Sequence, residues 1–155
     1  MFAVATYYFA IKKYVDARRY YGKCTTLEPS FGHAWIGFAH SFALEGEHDS
    51  AVSIYSSACK VLPGIHLPKM FLGMEHAKLS NWRLAEEFLL LALQSCDSDP
   101  LLFNELGVVA FAKQNYPAAI EYFEKCLLIV RENEIPISLW AGTLCNLGHV
   151  FRRIE

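Results

Sequence analysis

The sequence predicts an all-α solenoid, a right-handed superhelix of antiparallel helix pairs, and three observations carry that expectation. Ala17, Ala51, Ala85 and Ala119 recur at intervals of 34 residues. On the same ruler stand large side chains at Tyr21, Tyr55, Leu89 and Phe123, with small ones at Cys24, Ala58, Ala92 and Cys126. Upstream in each unit, Val4, Phe38, Leu72 and Leu106 are apolar and are followed at once by Ala5, Ala39, Gly73 and Gly107. Antiparallel helices approach closely only where one of them presents a small residue, and the space beside that contact must be filled by a bulky one. Small and large residues held at fixed addresses therefore mark one helix pair repeated along the chain.

Taken in order, residues 1–31 form the first pair. Residues 32–65 are the clearest copy, with Trp35, Phe38, Ala39, Phe42, Gly46, Ala51, Tyr55, Ala58 and Pro63 matching the pattern of the tetratricopeptide repeat, which is about 34 residues long. Units at 66–99 and 100–133 follow, then a partial one at about 141–155, giving roughly nine helices in a single domain over 1–155. Leu62-Pro63-Gly64 should stop a helix and turn the chain. Ser98-Asp99-Pro100 offers a cap followed by proline at the first helical position, and Asn115-Tyr116-Pro117 offers something similar inside the fourth unit. Leu147-Gly148 trails Leu106-Gly107 by 41 residues, and the surplus of seven lies around Glu132 to Trp140. The preceding helix is expected to absorb it by running on to Ile135-Pro136. Both ends fall inside a unit, which implies a segment of a longer superhelix.

Composition narrows the function. The chain is 54% hydrophobic and only 19% charged, below the usual quarter or so. Its longest clean apolar run, Phe88 to Leu93, falls far short of the ~18 residues a membrane-spanning helix needs. The first residues have no basic stretch before their apolar run and no small-residue cleavage site, so a signal peptide is not expected. A net charge of -2 with scattered basic doublets gives no footprint for nucleic acid. The five cysteines have no C-x-x-C spacing, which disfavours zinc and a disulfide framework. Glu45, Glu47, His48 and Asp49 contain a Glu-x-x-His spacing, but they flank Gly46 in a turn, where solvated polar residues are the expectation. No catalytic or phosphate-binding motif occurs, so neither enzyme activity nor a metal or other cofactor is expected.

The informative surface is the concave one. Inward addresses on the first helix of each unit hold Ile36 and His40, Met70 and Met74, Asn104 and Val108, Cys145 and His149, with Phe2 and Thr6 at the start. Farther along come Ala43, Ala77, Phe111 and Arg152. The predicted peptide-binding groove is therefore Ile36, His40, Met70, Met74, Asn104, Val108 and Phe111, mostly apolar with a few hydrogen-bonding groups, which suits a peptide with apolar anchors. Asn104 stands out, because a buried amide on an apolar helix face needs a partner. On that reasoning Asn104→Ala should weaken partner binding and leave stability nearly unchanged.

Between the repeat positions the sequence is more specific. The runs TTLEPSFGHAWIGFAHSFALEGEHDSA at 25–51, HLPKMFLGMEHAKLSNWRLAEEFLLLAL at 66–93, DPLLFNELGVVAF at 99–111 and NLGHVFRR at 146–153 closely resemble the Cdc-sixteen type subunit (subunit six) of the anaphase-promoting complex, or cyclosome. That resemblance implies a non-catalytic scaffold arm of a large ubiquitin ligase, acting in mitosis in nucleus and cytoplasm. It implies other subunits of the complex as partners, with homodimerisation of the full-length protein through repeats that precede this segment. It also implies that the groove sheathes the extended amino-terminal segment of a small accessory subunit. The alternative is a generic tetratricopeptide adaptor, either a chaperone type that clamps a terminal carboxylate or the repeat arm of an enzyme. A carboxylate clamp needs converging cationic donors, and Ile36, His40, Met70 and Met74 stand at those addresses instead.

Overall fold

The computed structural model describes residues 1–154, and its first eight helices follow the 34-residue ruler. Four antiparallel pairs follow one another: α1 (Phe2–Ala10) with α2 (Tyr14–Leu27), α3 (Gly32–Ala43) with α4 (His48–Val61), α5 (His66–Lys78) with α6 (Trp82–Leu93), and α7 (Pro100–Ala112) with α8 (Tyr116–Glu132). A short 3-10 turn at Ile137–Trp140 leads into α9 (Ala141–Ile154). No strand occurs among the described residues. No helix among them is long and apolar enough to cross a membrane.

The four recurrent alanines are fully buried, and Tyr21, Tyr55, Leu89 and Phe123 beside them are at most 3% exposed. Where the preceding helix carries glycine, the contact is too close for any side chain. A Cβ on Gly107 would lie 2.5 Å from Cε1 of Phe123, and one on Gly73 would lie 2.8 Å from Cγ of Leu89. The small-to-large complementarity inferred from spacing is thus a contact between the helices of each pair.

The tight turn inside each pair uses a second periodic device. Lys12, Gly46, Ser80 and Gln114, again one per repeat, all have left-handed backbone with φ between 60° and 80°. Such a residue ends the first helix and lets the chain reverse within a few residues. Three of the four are not glycine, so each pays a conformational penalty that the packed pair must offset. The predicted caps are present: Asp99 Oδ1 accepts from the Leu101 amide at 2.9 Å, and Asn115 Oδ1 accepts from the Ala118 amide at 3.4 Å.

The seven surplus residues are not absorbed as one long helix. α8 ends at Glu132, short of the expected Ile135-Pro136. Asn133 folds its Nδ2 back onto the Ile129 carbonyl at 2.8 Å, and Glu134 turns the chain with φ 54°. Ile135 and Trp140 then pack against Phe103, Cys126, Ile129 and Val130. Burying two more apolar side chains against α8 favours this turn over continued helix.

Neighbouring helices touch along the whole stack, and contacts between next-but-one helices join α1 to α3, α5 to α7 and α7 to α9, all first helices of their units. Among the described residues, second helices of adjacent pairs make no contact of comparable extent, which places the first helices on the inner side of the curve.

Candidate peptide-binding groove

His40, Ala43 and Met74 line, with Phe9, Tyr55, Phe71, Glu75 and Lys78, a cavity of about 280 Å³ between the ends of α1, α3 and α5. Tyr55 reaches in from α4, and its hydroxyl bonds Nδ1 of His40. The His40 ring stands edge-on to Phe71, with ring centres 4.5 Å apart. Burial lowers the basicity of His40; Glu75 acts against that shift and Lys78 with it. A neutral imidazole results, holding one nitrogen on Tyr55. Burial also raises the Tyr55 phenol far above its ordinary value, so it keeps its proton. At the rim, Glu75 is 2% exposed, and its two oxygens accept from Lys78 Nζ and pair with His48 Nδ1, each at 2.7 Å. The cavity is therefore walled by aromatic rings and a thioether, with a charged edge on one side.

Val108 and Phe111 share a smaller pocket, about 80 Å³, with Phe123, Asn146 and His149. His149 Nδ1 lies 2.8 Å from a guanidinium nitrogen of Arg152 one turn later. Ile36 is half-buried on the inner face of α3 and lines neither space.

Two predicted groove residues need correction. Met70 is 1% exposed and belongs to the core with Leu89, Leu102 and Leu106, so it offers no surface to a partner. The ruler placed it on an inward face, but α7 closes over that part of α5. Asn104 is already satisfied within the chain. Its Oδ1 accepts from Thr143 Oγ1 at 2.8 Å, and its Nδ2 donates to Glu105 Oε1 at 3.0 Å. The partner that a buried amide requires is α9, not a bound peptide. Asn104 does border a third cavity of about 270 Å³, with Leu101, Leu139, Trp140 and Thr143.

Sequence reasoning missed several contributors. Phe9, Phe71 and Lys78 line the first cavity from positions outside the inward addresses. Glu105 sits beside Asn104, and burial raises its carboxyl pKa, opposed by the Asn104 hydrogen bond and by Lys78. The acidic cluster around Gly46 is not merely solvated. Glu45 and Glu47 both grip Arg18 of the preceding unit, whose guanidinium also donates to the Ser41 carbonyl and lies over the Phe42 ring. Two repeat lengths on, the same address carries Glu86 and Lys113 as an ion pair of reversed sign. Repetition of an address with its charges exchanged was the available signal.

A tetratricopeptide-repeat profile matches residues 102–133. The chain is 49% identical over 153 residues to the anaphase-promoting complex subunit Cut9 of Schizosaccharomyces pombe, covering 99% of this chain and 23% of Cut9. It is 41% identical to the human cell division cycle protein 16 homolog, covering 99% of this chain and 25% of that protein. The chain thus spans about a quarter of the length of these relatives. Among solved structures, it superposes on a chain of the Cut9–Hcn1 hetero-tetramer with a TM-score of 0.90 at 49% identity, covering 99% of this chain and 30% of that one. A MamA structure at 14% identity and TM-score 0.74 shares the fold alone. Over nearly all its residues, then, this chain is homologous to part of the Cut9/CDC16/APC6 subunits of the anaphase-promoting complex.

Proposed function

We propose that the chain acts as a non-catalytic repeat scaffold of the anaphase-promoting complex, in nucleus and cytoplasm, and that its concave groove sheathes an extended segment of a small accessory subunit of the Hcn1 kind. The observation that carries this reading is the 0.90 superposition, at 49% identity, on a Cut9–Hcn1 assembly. The chemistry of the groove suits it. The cavity at His40 and Met74 is large enough for one bulky apolar side chain, and the pocket at Val108 and Phe111 offers a second, smaller contact farther along. A neutral His40 held by Tyr55 keeps the centre of the groove free of a desolvated charge, which an uncharged peptide backbone would otherwise have to compensate.

The test is calorimetric titration of Hcn1 into the chain and into a Met74→Glu variant. A carboxylate in that cavity should weaken binding at least tenfold, because it must be desolvated against apolar walls. Since Met74 is only half-buried, the melting temperature should stay close to that of the parent. Equal affinities for parent and variant would remove Met74 from the groove; no binding of Hcn1 to either would refute the assignment of partner.

A further inference from the structure

A cavity of about 770 Å³ lies outside the groove. It lies between α2 and α3, on the face of α3 opposite Ile36, His40 and Ala43. Its floor is Trp35 and Phe38, both half-buried. Trp35 is fixed by its indole N–H, which donates to the Pro29 carbonyl at 2.8 Å. The cavity opens at Gly22, in the middle of α2. At the equivalent places of α4, α6 and α8, one repeat apart each, stand Ser56, Leu90 and Glu124.

Nothing in the packing requires that glycine. A Cβ there would meet only Phe38, at 3.6 Å, an ordinary contact, and its backbone is not left-handed. Glycine weakens a helix interior, so α2 gives up stability at Gly22, and the space above Phe38 is what the missing side chain leaves. The charged residues lining the cavity are Arg18, Arg19 and Lys23, with no acid among them. Arg18 is neutralised by Glu45 and Glu47. Arg19 and Lys23 form no salt bridge among the described residues, and they project one turn apart along the rim.

We propose that this outer cavity is a second docking site, independent of the concave groove, for an acidic peptide segment of a protein partner that seats one large apolar side chain over Phe38 and places carboxylates against Arg19 and Lys23. The apolar floor supplies the anchor and the two unpaired cations select the sign of charge.

A phage-displayed peptide library selected on this chain and counter-selected on its Gly22→Leu variant tests the idea. Selected peptides, synthesised with a fluorescent label, are then titrated against the parent, Gly22→Leu, Arg19→Glu/Lys23→Glu and Met74→Glu. The expected sequences carry at least two Asp or Glu residues beside a Leu, Phe or Trp. Their affinity should fall tenfold or more in the first two variants, weaken with added salt and be unaffected in the third. Gly22→Leu and the exposed double variant should melt no lower than the parent. Selected peptides without acids, peptides retained equally by Gly22→Leu, or peptides lost only with Met74→Glu would each overturn the proposal. So would a dimer of this chain that Gly22→Leu dissolves, since that would give the cavity to a second copy.

Discussion

Replacing Gly107 with alanine should destabilise the chain, and the same replacement should stabilise it once Phe123 has been cut back to alanine. In the native structure the new Cβ would sit 2.5, 2.7 and 2.8 Å from three ring carbons of Phe123, which is 1% exposed and cannot swing away. Overpacking of this kind costs about 1–3 kcal/mol. Against it stands about 1 kcal/mol recovered by taking glycine out of a helix interior. The net loss is about 1 kcal/mol, or about 2–4 °C in melting temperature for a chain of this size. Phe123→Ala alone removes a fully buried ring and should cost about 3–5 kcal/mol. In that background the clash is gone and only the helix gain remains, so the added methyl should recover about 1 kcal/mol. The coupling between the two sites is then about 2 kcal/mol, within the range that residues in contact show. Urea denaturation of the four proteins measures it from the midpoints, provided the slopes agree. If Gly107→Ala has the same effect with and without the Phe123 ring, the two helices do not meet as described and the small-to-large ruler has no packing basis.

Three further outcomes follow from contacts seen in the structure. Asn104→Ala should cost about 1–2 kcal/mol in chemical denaturation, because Thr143, 3% exposed, loses its acceptor; an unchanged midpoint would refute the link between α7 and α9. Glu86→Lys should lower stability by no more than about 1 kcal/mol, since its pair with Lys113 is more than a third exposed, and adding Lys113→Glu should restore the loss, as the reversed pair at Arg18 and Glu45 implies. Failure of the double exchange to recover would show that the address is not electrostatic. Glu105 has a folded-state pKa raised by burial, so its neutral form is the one the fold favours. Its contribution is fully present below the unfolded carboxylate value and is lost as pH rises through the folded one. Glu105→Gln should therefore raise the melting temperature at neutral pH and lose that advantage in acid; an equal gain at both would assign the effect to something other than titration.

The fold was legible because the residues that fix it repeat. Ala51 and Tyr55 stand at addresses that hold an alanine and a large apolar or aromatic side chain in each of the first four units, and Asp99 and Asn115 cap helices by chemistry local to a few residues. The left-handed turns were only partly visible, since Gly46 announces one while Lys12, Ser80 and Gln114, at the same address, do not. Of the candidate site, the spacing put His40 and Met74 on inward addresses of neighbouring first helices, and the two line one cavity across α3 and α5. What periodicity could not supply was how far a neighbour closes over a helix. Met70 disappears under α7, and Asn104 finds Thr143 only because the displaced last unit brings α9 against it. Arg18 was missed for a related reason, as its two carboxylate partners lie in the next unit and nothing near it in sequence signals them.

The chain contains three methionines, and they form a built-in test of where a partner lies. Met74 lines the concave cavity, Met70 is sealed in the core four residues earlier, and Met1 borders the outer cavity beside α2. Methyl-labelled methionine, followed by NMR during titration with Hcn1, resolves all three at once. A large shift of the Met74 resonance at saturation, with Met70 and Met1 nearly unmoved, is the predicted result. Saturation with Met74 unchanged, or with Met1 the resonance that moves, would place the partner outside the groove and contradict the account.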